Sequence, residues 1–167
     1  GKVWLAGQEL TAMDEDGRAA LRAERVGFVF QSFHLISSLT ALENVMLPLE
    51  LSGAESAHDA ALTAIRTVGL EPRKGHYPHQ LSGGEKQRVA IARAFVVQPE
   101  VLFADEPTGN RAQRTGETIE ELLFRMNRES GTTLVLVTHD LDLASRCNRI
   151  LFMEAGRIER ESGPVEA

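Results

Sequence analysis

Two adjacent carboxylates, Asp105 and Glu106, directly follow a short apolar run in the sequence VLFADEPTGN, residues 101–110. The run has the length and composition of a buried strand, so the acids are expected at its carboxyl end. In open parallel sheets, the carboxyl ends of the strands form the edge at which nucleotides bind. Carboxylate oxygens at such an edge suit Mg²⁺, which favours hard oxygen ligands. The pair is therefore a candidate site for metal binding and hydrolytic chemistry.

A second candidate site lies in the sequence LSGGEKQR, residues 81–88. Ser82 is a typical helix N-cap and Glu85 stands at the third helical position, which together predict a capping box. Gly83 and Gly84 leave the first backbone N–H groups uncovered by side chains, and the helix dipole adds partial positive charge there. The pattern S-G-G-E alone is equally consistent with an ordinary capped helix, so the phosphate-binding interpretation depends on the longer string.

The longer string resembles the signature motif of ATP-binding cassette (ABC) ATPases, and three other motifs resemble those of the same family. Gln31 in VFQSF resembles the Q-loop glutamine, VLFADEP the Walker B strand, and His139 in VTHD the switch histidine. Taken singly, Gln31 is a common turn residue and His139 a common neighbour of a helix N-terminus. The four motifs follow the family's order and roughly its spacing, which favours the family interpretation.

The resemblance implies a role for each candidate residue. Asp105 and Gln31 are expected to contact Mg²⁺ at the nucleotide, and Gln31 is also expected to act in catalysis by touching the attacking water. Glu106 is expected to polarise the water that attacks the γ-phosphate of ATP, with His139 donating to that phosphate. In a head-to-tail homodimer, residues 82–85 are expected to reach the ATP that the other subunit holds.

Two segments are most similar to one branch of the family. VGFVFQSFHLISSLTALENVMLPLEL (26–51) and FADEPTGN (103–110) resemble the small ATPase subunits of the lipoprotein-releasing and macrolide-export group, although amino-acid importers share much of this pattern. The resemblance implies permease subunits in the inner membrane as partners. It also implies a cytoplasmic chain that lies peripherally on the inner face of the cell membrane.

The 167 residues depart from the family pattern at the phosphate cradle. An ABC ATPase needs the sequence G-x-x-x-x-G-K-[ST], whose backbone N–H groups and Lys hold the β- and γ-phosphates. No such sequence is present, since Gly1 and Lys2 are followed by Val3 and a strand-like segment. We interpret the chain as a truncated gene product or a fragment of a longer protein. We expect the isolated chain to bind ATP weakly or not at all and not to hydrolyse it.

A second departure follows the acidic pair. Residues 109–112 read GNRA, where the family usually has GNLD. Arg111 replaces an apolar residue, and Ala112 replaces an aspartate that communicates across the dimer. This change places the coupling between the two ATP sites in doubt.

Composition limits the other function classes. The net charge of −6, without a cluster of Lys and Arg, argues against nucleic acid as a partner. Cys147 is the single cysteine, which excludes an intramolecular disulfide and a cysteine-based metal site. No apolar stretch approaches the roughly 20 residues that span a bilayer.

The elements that must position these motifs alternate between strand and helix. We expect an α/β fold: a RecA-like parallel sheet of a partial P-loop NTPase, covered on both faces, with an ABC-type antiparallel β portion and a helical insertion. The single domain, residues 1–167, divides into a helical subdomain at about 40–95 and a catalytic core at 1–39 and 96–160. A capping-box-like pair, Thr11 and Asp14, predicts a first helix at about 12–23, and a hairpin is predicted to turn at Ala155 and Gly156. Arg88 and Arg93 are expected to be solvated.

Two other function classes stay open at this point. The missing cradle and the GNRA sequence favour a degenerate, non-catalytic module that docks on a transporter or on an intact ATPase subunit. A soluble ABC ATPase of DNA repair or translation is disfavoured by the acidic charge and the small helical insert.

Overall fold

A computed structural model of the chain describes residues 1–107 and 113–163, and the side chains of residues 113–118 are outside the description. Strands and helices alternate along these residues, as the sequence predicts. In chain order they are β1 (Trp4–Leu5), β2 (Gln8–Glu9), α1 (Glu15–Arg25), β3 (Val26–Phe30), α2 (Ala41–Leu51), α3 (Ala57–Thr67), α4 (Gly83–Phe95), β4 (Val101–Asp105), α5 (Gln113–Ser130), β5 (Thr133–Val137), α6 (Leu141–Ser145), β6 (Ile150–Glu154) and β7 (Arg157–Ser162).

The central sheet consists of β3, β4 and β5, which pair in parallel in that order. The register places Phe30, Asp105 and Val137 side by side at the last residue of each strand. Because all three strands end at one level, the residues that follow them share one edge of the sheet. The predicted parallel sheet is confirmed, and so is the position of the acidic pair at a strand's carboxyl end.

One face of this sheet carries the hydrophobic core. Val29, Leu102 and Ala104 are almost fully buried there, packed in one cluster with side chains of α4 and α5. The other face is open among the described residues, where Phe28, Val135 and Val137 are 37–56% exposed. The prediction of a sheet covered on both faces is therefore wrong for this chain. Among the described residues, α4 and α5 both contribute to a single core cluster, whereas these alternate side chains of the strands are exposed.

Antiparallel pairs flank the parallel sheet in the chain order. β1 pairs with β2, and β6 pairs with β7 across the predicted turn at Ala155 and Gly156. Both turn residues have positive φ, 47° and 77°. This is the backbone of the two-residue turn whose twist matches a right-handed hairpin. The antiparallel β portion and the second hairpin are thus confirmed.

The first helix begins later than the sequence pattern indicates. Thr11 lies in a short 3₁₀ turn, Leu10–Ala12, and α1 begins at Glu15. The cap is Asp14, whose carboxylate accepts a hydrogen bond of 2.8 Å from the Gly17 N–H. Aspartate is an effective N-cap, so the helix starts where the carboxylate can satisfy a free N–H group. The prediction of a start near residue 12 is wrong for this reason.

The helices α2, α3 and α4 occupy the region predicted to be a helical insertion. Ala61, Ile65 and Val68, at the predicted helical spacing, are buried in the same cluster as Val89 of α4. Gly69, with φ of 72°, follows the end of α3 and provides the left-handed residue that commonly closes a helix. The boundaries of this region as a subdomain, 40–95 against 1–39 and 96–160, remain a prediction. None of the described helices is long and apolar enough to cross a membrane.

Replacing Thr40 with Ala is expected to destabilise the chain by about 0.5–2 kcal/mol. Thr40 caps α2 through a complete capping box, in which its hydroxyl accepts from the Glu43 N–H and Glu43 accepts from the Thr40 N–H. Ser56→Ala is the matched control, because Ser56 precedes α3 without a side-chain capping bond. Chemical denaturation would measure both. Equal losses in the two variants would contradict the role of the Thr40 hydroxyl.

Candidate functional site

The candidate residues at the carboxyl edge of the sheet follow three adjacent strands. Gln31 follows β3, Asp105 ends β4 and is followed by Glu106, and His139 lies two residues beyond β5. Adjacent strands are about 4.8 Å apart, so these side chains lie within reach of one ligand. Gln31 and Asp105 are both exposed. The edge therefore presents an amide, two carboxylates and an imidazole to solvent in a short row.

Glu106 is held in place by the residues that follow β5. Its carboxylate accepts from the His139 N–H at 2.8 Å, lies 2.6 Å from His139 Nδ1, and accepts a longer bond of 3.4 Å from the Thr138 hydroxyl. The backbone of Glu106 has φ of 43°, a left-handed conformation that is uncommon outside glycine. Its N–H donates to the Val137 carbonyl at 2.9 Å, which fixes this conformation against β5. The carboxylate thus has a defined orientation before any ligand binds.

His139 itself stays accessible. Its side chain is 72% exposed, whereas that of Glu106 is 20% exposed. With Nδ1 engaged by Glu106, the other ring nitrogen, Nε2, is the one available to a ligand. The two side chains form a pair in which one group is oriented and the other can reach outward.

Thr138 and Asp140 are two contributors that the sequence reasoning missed. The Asp140 carboxylate caps α6 by accepting from the N–H groups of Asp142 and Leu143, at 2.9 and 3.2 Å. The Asp140 N–H donates to the Thr138 hydroxyl at 3.0 Å. These bonds fix the loop that presents His139. The available signal was the capping pattern T-x-D before an apolar run, and His139 proves to be both a neighbour of a helix N-cap and a partner of Glu106.

The predicted capping box at the start of α4 is confirmed. Ser82 Oγ accepts from the Glu85 N–H at 3.2 Å, and the Glu85 carboxylate accepts from the Ser82 N–H at 2.8 Å. That backbone hydrogen bond and the Ser82 side chain hold the pKa of the Glu85 carboxyl below its usual value, with a smaller contribution from Arg73 at 3.2 Å. The box engages the Glu85 N–H and leaves those of Gly83 and Gly84 at the helix start, where they can donate to an anion.

The two candidate sites stand apart within this chain. Across residues 1–107 and 113–163, no hydrogen bond or ion pair joins residues 82–85 to Asp105, Glu106 or His139. Each site has its own local scaffold: a helix start for one, and the ends of three strands for the other.

The arginines of α4 do not behave as predicted. Arg88 donates from Nη1 to the Val68 carbonyl at 2.9 Å. Arg93 donates to the Phe33 and His34 carbonyls, and burial lowers the pKa of its guanidinium. Both are partly buried and bonded to distant backbone, so the prediction of solvated side chains is wrong. The physical reason is that an arginine stem can cover apolar surface while its head reaches carbonyls far along the chain.

The donor set of the sheet edge suits Mg²⁺. Within the described ranges, no three His, Cys, Asp or Glu side chains cluster as a cage for a metal ion. Mg²⁺ does not need such a cage, because it keeps several waters and is typically held by one or two carboxylates together with substrate phosphates. Asp105, exposed at its strand end and flanked by Gln31, offers oxygen ligands of that kind.

The GNRA sequence cannot be assessed in the structure. Arg111 and Ala112 lie outside the described residues, so their effect on coupling between sites remains a prediction from the sequence.

Comparison of the chain with known proteins gives one consistent result. The family model described as "ABC transporter" matches residues 1–109. The chain is 57% identical over 164 residues to an uncharacterised ABC transporter ATP-binding protein, YbbA, of Escherichia coli K12, covering 97% of this chain and 72% of that protein. It is 46% identical over 160 residues to the lipoprotein-releasing system ATP-binding protein LolD of Pseudomonas syringae pv. tomato, covering 95% of this chain and 70% of the relative.

Solved structures agree with these sequence relatives. A dimeric bacterial ABC transporter cassette, MJ0796, superposes on the whole chain with a TM-score of 0.87 and 41% identity, covering 75% of its own length. A second dimeric structure of the same cassette, in a post-hydrolysis state bound to ADP and Pi, gives a TM-score of 0.87 at 40% identity and the same coverage. The mixed α/β architecture of the chain is that of an ABC cassette.

Proposed function

Because this chain belongs to the ABC transporter family as an ATP-binding subunit, we propose that the row of side chains at its sheet edge hydrolyses ATP with Mg²⁺ to drive a membrane partner. The observation that carries this proposal is the oriented carboxylate of Glu106, one residue beyond Asp105, which accepts from the His139 N–H and lies 2.6 Å from His139 Nδ1. A carboxylate fixed at a nucleotide-binding edge is placed to act on a water molecule rather than to fill space.

Each residue of the row then has a distinct task. Asp105 and Gln31 would hold Mg²⁺, which would supply charge neutralisation at the phosphates. Glu106 would accept a proton from the attacking water as the water oxygen bonds to the γ-phosphorus, while the bond from that phosphorus to the β–γ bridging oxygen breaks and ADP leaves. His139, with Nδ1 beside Glu106, presents Nε2 to the phosphate and would donate to it when both ring nitrogens carry a proton. Thr138 keeps the carboxylate of Glu106 aligned from its second oxygen.

The start of α4 serves a second nucleotide site in this proposal. The N–H groups of Gly83 and Gly84 and the Ser82 hydroxyl would contact the phosphate of an ATP held by the other copy of a head-to-tail homodimer. In the described part of the chain, no hydrogen bond or ion pair joins residues 82–85 to Glu106, which agrees with this division. Dimeric relatives of high structural similarity support it as well.

The 167 residues alone are expected to show no measurable Mg²⁺-dependent ATP hydrolysis. They contain the strand-end residues Gln31, Asp105, Glu106 and His139, and the start of α4 at Ser82. They contain no G-x-x-x-x-G-K-[ST] sequence to bind the β- and γ-phosphates. A steady-state phosphate-release assay would compare the purified chain with a chimera that joins a P-loop segment of an ABC ATPase ahead of Gly1. We expect turnover only in the chimera. Turnover by the chain alone, at a rate typical of the family, would overturn the proposed need for a separate cradle.

An inactive chimera would favour the other candidate, a non-catalytic module that docks on a transporter or on an intact ATPase. The GNRA sequence at residues 109–112 is the observation that favours this candidate. Co-purification of the 167-residue chain with a permease, without any ATPase activity in the chimera, would support it.

We assign a permease segment to a groove against β3, the strand that ends just before Gln31. It has a volume of about 400 Å³ and lies among α1, β3, α2 and α4, with Arg22, Phe28, Phe30, Pro48, Leu51 and Arg93 in its lining. Leu51 is 80% exposed at its rim. Apolar walls with the exposed Arg22 suit a short amphipathic helix that carries an acidic residue, and its binding would place the chain peripherally on the inner membrane face. Leu51→Asp should abolish co-purification with the permease, whereas Leu141→Asp, on an exposed residue of α6, should not.

A further inference from the structure

The backbone just after Gln31 adopts an unusual conformation. Phe33 and His34 are consecutive non-glycine residues with positive φ, 62° and 47°. Such left-handed conformations are strained for residues other than glycine and persist only where the surrounding structure holds them. Local bonds contribute, since the Phe33 N–H donates to Phe30 at 3.1 Å and the His34 N–H to Ser32 at 2.7 Å. These local bonds form within the turn itself and do not fix it to the rest of the molecule.

One side chain of α4 provides that attachment. Arg93 donates from Nη1 to the His34 carbonyl at 2.7 Å and from Nη2 to the Phe33 carbonyl at 2.9 Å. The two carbonyls are therefore bridged by both arms of one guanidinium, a geometry that lysine cannot reproduce. The bonded residues are 59 and 60 positions apart in the sequence. The bonds therefore connect α4, which begins after Ser82, to the end of the strand that Gln31 follows.

We propose that Arg93 is a positioning residue for Gln31, holding the left-handed turn at Phe33 and His34 against α4 so that the Gln31 side chain stays at the sheet edge. The inference rests on the proposed role of Gln31 at the nucleotide. Ser82 and Arg93 lie on one rigid helix, about 16 Å apart along its axis at the usual rise per residue. Helix α4 thus has the proposed phosphate-binding residue Ser82 at its start and Arg93, which holds the turn after Gln31, near its end.

Amide hydrogen exchange of the 167-residue chain tests the anchor. In Arg93→Met, the exchange rates of the Phe33 and His34 amides are expected to rise at least about tenfold, and the NMR resonances of the Gln31 side-chain amide are expected to shift. Arg93→Lys keeps a donor and a charge without the two-armed bridge, so a rise of about threefold is expected. Both measurements are made without nucleotide, so their outcome does not depend on whether the chain hydrolyses ATP.

Arg88→Met is the matched control. Arg88 is on the same helix and also donates to a backbone carbonyl, but its partner, Val68, belongs to the end of α3. This variant is expected to leave the Phe33 and His34 amides and the Gln31 resonances unchanged. The proposal is overturned if Arg93→Met leaves the turn's exchange within twofold of the unaltered chain, or if Arg88→Met accelerates it equally. Should Arg93→Met fail to fold, unchanged exchange in Arg93→Lys would overturn the proposal instead.

Discussion

Replacing Glu106 with Gln is expected to lower kcat for ATP hydrolysis by about 10²–10⁴-fold in the chimera that supplies a P-loop segment, with little change in KM. Glutamine keeps the shape of the side chain and an oxygen that can accept from the His139 N–H, as the carboxylate does at 2.8 Å. It cannot accept a proton from water at neutral pH. The loss should therefore appear in the chemical step rather than in nucleotide binding, because the proposal gives the Mg²⁺ contacts at the nucleotide to Asp105 and Gln31 and not to Glu106.

Phosphate-release kinetics over a range of ATP concentrations would separate kcat from KM. Glu154→Gln is a suitable control, because Glu154 is an exposed carboxylate at the end of β6 and lies outside the proposed row. Its kcat should stay within about twofold of the parent chimera. Retention of a third or more of kcat in Glu106→Gln would show that another group accepts the proton. A rise in KM without a fall in kcat would assign Glu106 to binding instead.

The sequence predicts this site well where the signal is local. The apolar run before Asp105 and the capping pattern at Ser82 each depend on neighbours within a few residues, and both features have the predicted form. The family resemblance gives His139 and Gln31 their expected roles. The position of His139 against Glu106, 33 residues earlier in the chain, depends on how two strands pair, and composition or spacing alone does not determine that.

The predictions that proved wrong depended on contacts between residues far apart in the sequence. Arg93 and Arg88 were expected in solvent because charged residues usually are, yet their partners are backbone carbonyls 20 to 60 residues away. Similarly, continuous β-branched runs predict strands buried on two faces, but whether a layer covers the second face depends on other elements. Val135 and Val137 are exposed, although strand residues of this type are usually buried. The composition of a strand therefore does not determine whether its second face is covered.

The second large effect concerns the contact between the sheet and α4. Gly27→Ala is expected to destabilise the chain by about 1–3 kcal/mol, because an added Cβ overfills a packed core. A Cβ at this position would lie 2.7 Å from the Ala94 carbonyl oxygen and 2.8 Å from Leu102 Cδ1. The leucine methyl can rotate, but the carbonyl belongs to the helix backbone and can move only with α4. The substitution should therefore push the helix and strand apart.

Gly75→Ala separates this steric effect from the general change of glycine to alanine. No heavy atom lies within 4 Å of a Cβ at Gly75, and its φ is not positive, so the variant should be neutral or stabilised by up to about 1 kcal/mol. Thermal unfolding of the three chains, with a shift of about 2–4 °C expected per kcal/mol at this size, gives the comparison.

Because α4 begins after Ser82 and carries Arg93, displacement of the helix in Gly27→Ala should also accelerate exchange of the Phe33 and His34 amides. Destabilisation without that local change would mean that the helix end adjusts near Ala94 while the Arg93 bridge stays intact. A stability equal to that of Gly75→Ala would instead contradict the close approach of β3 to α4.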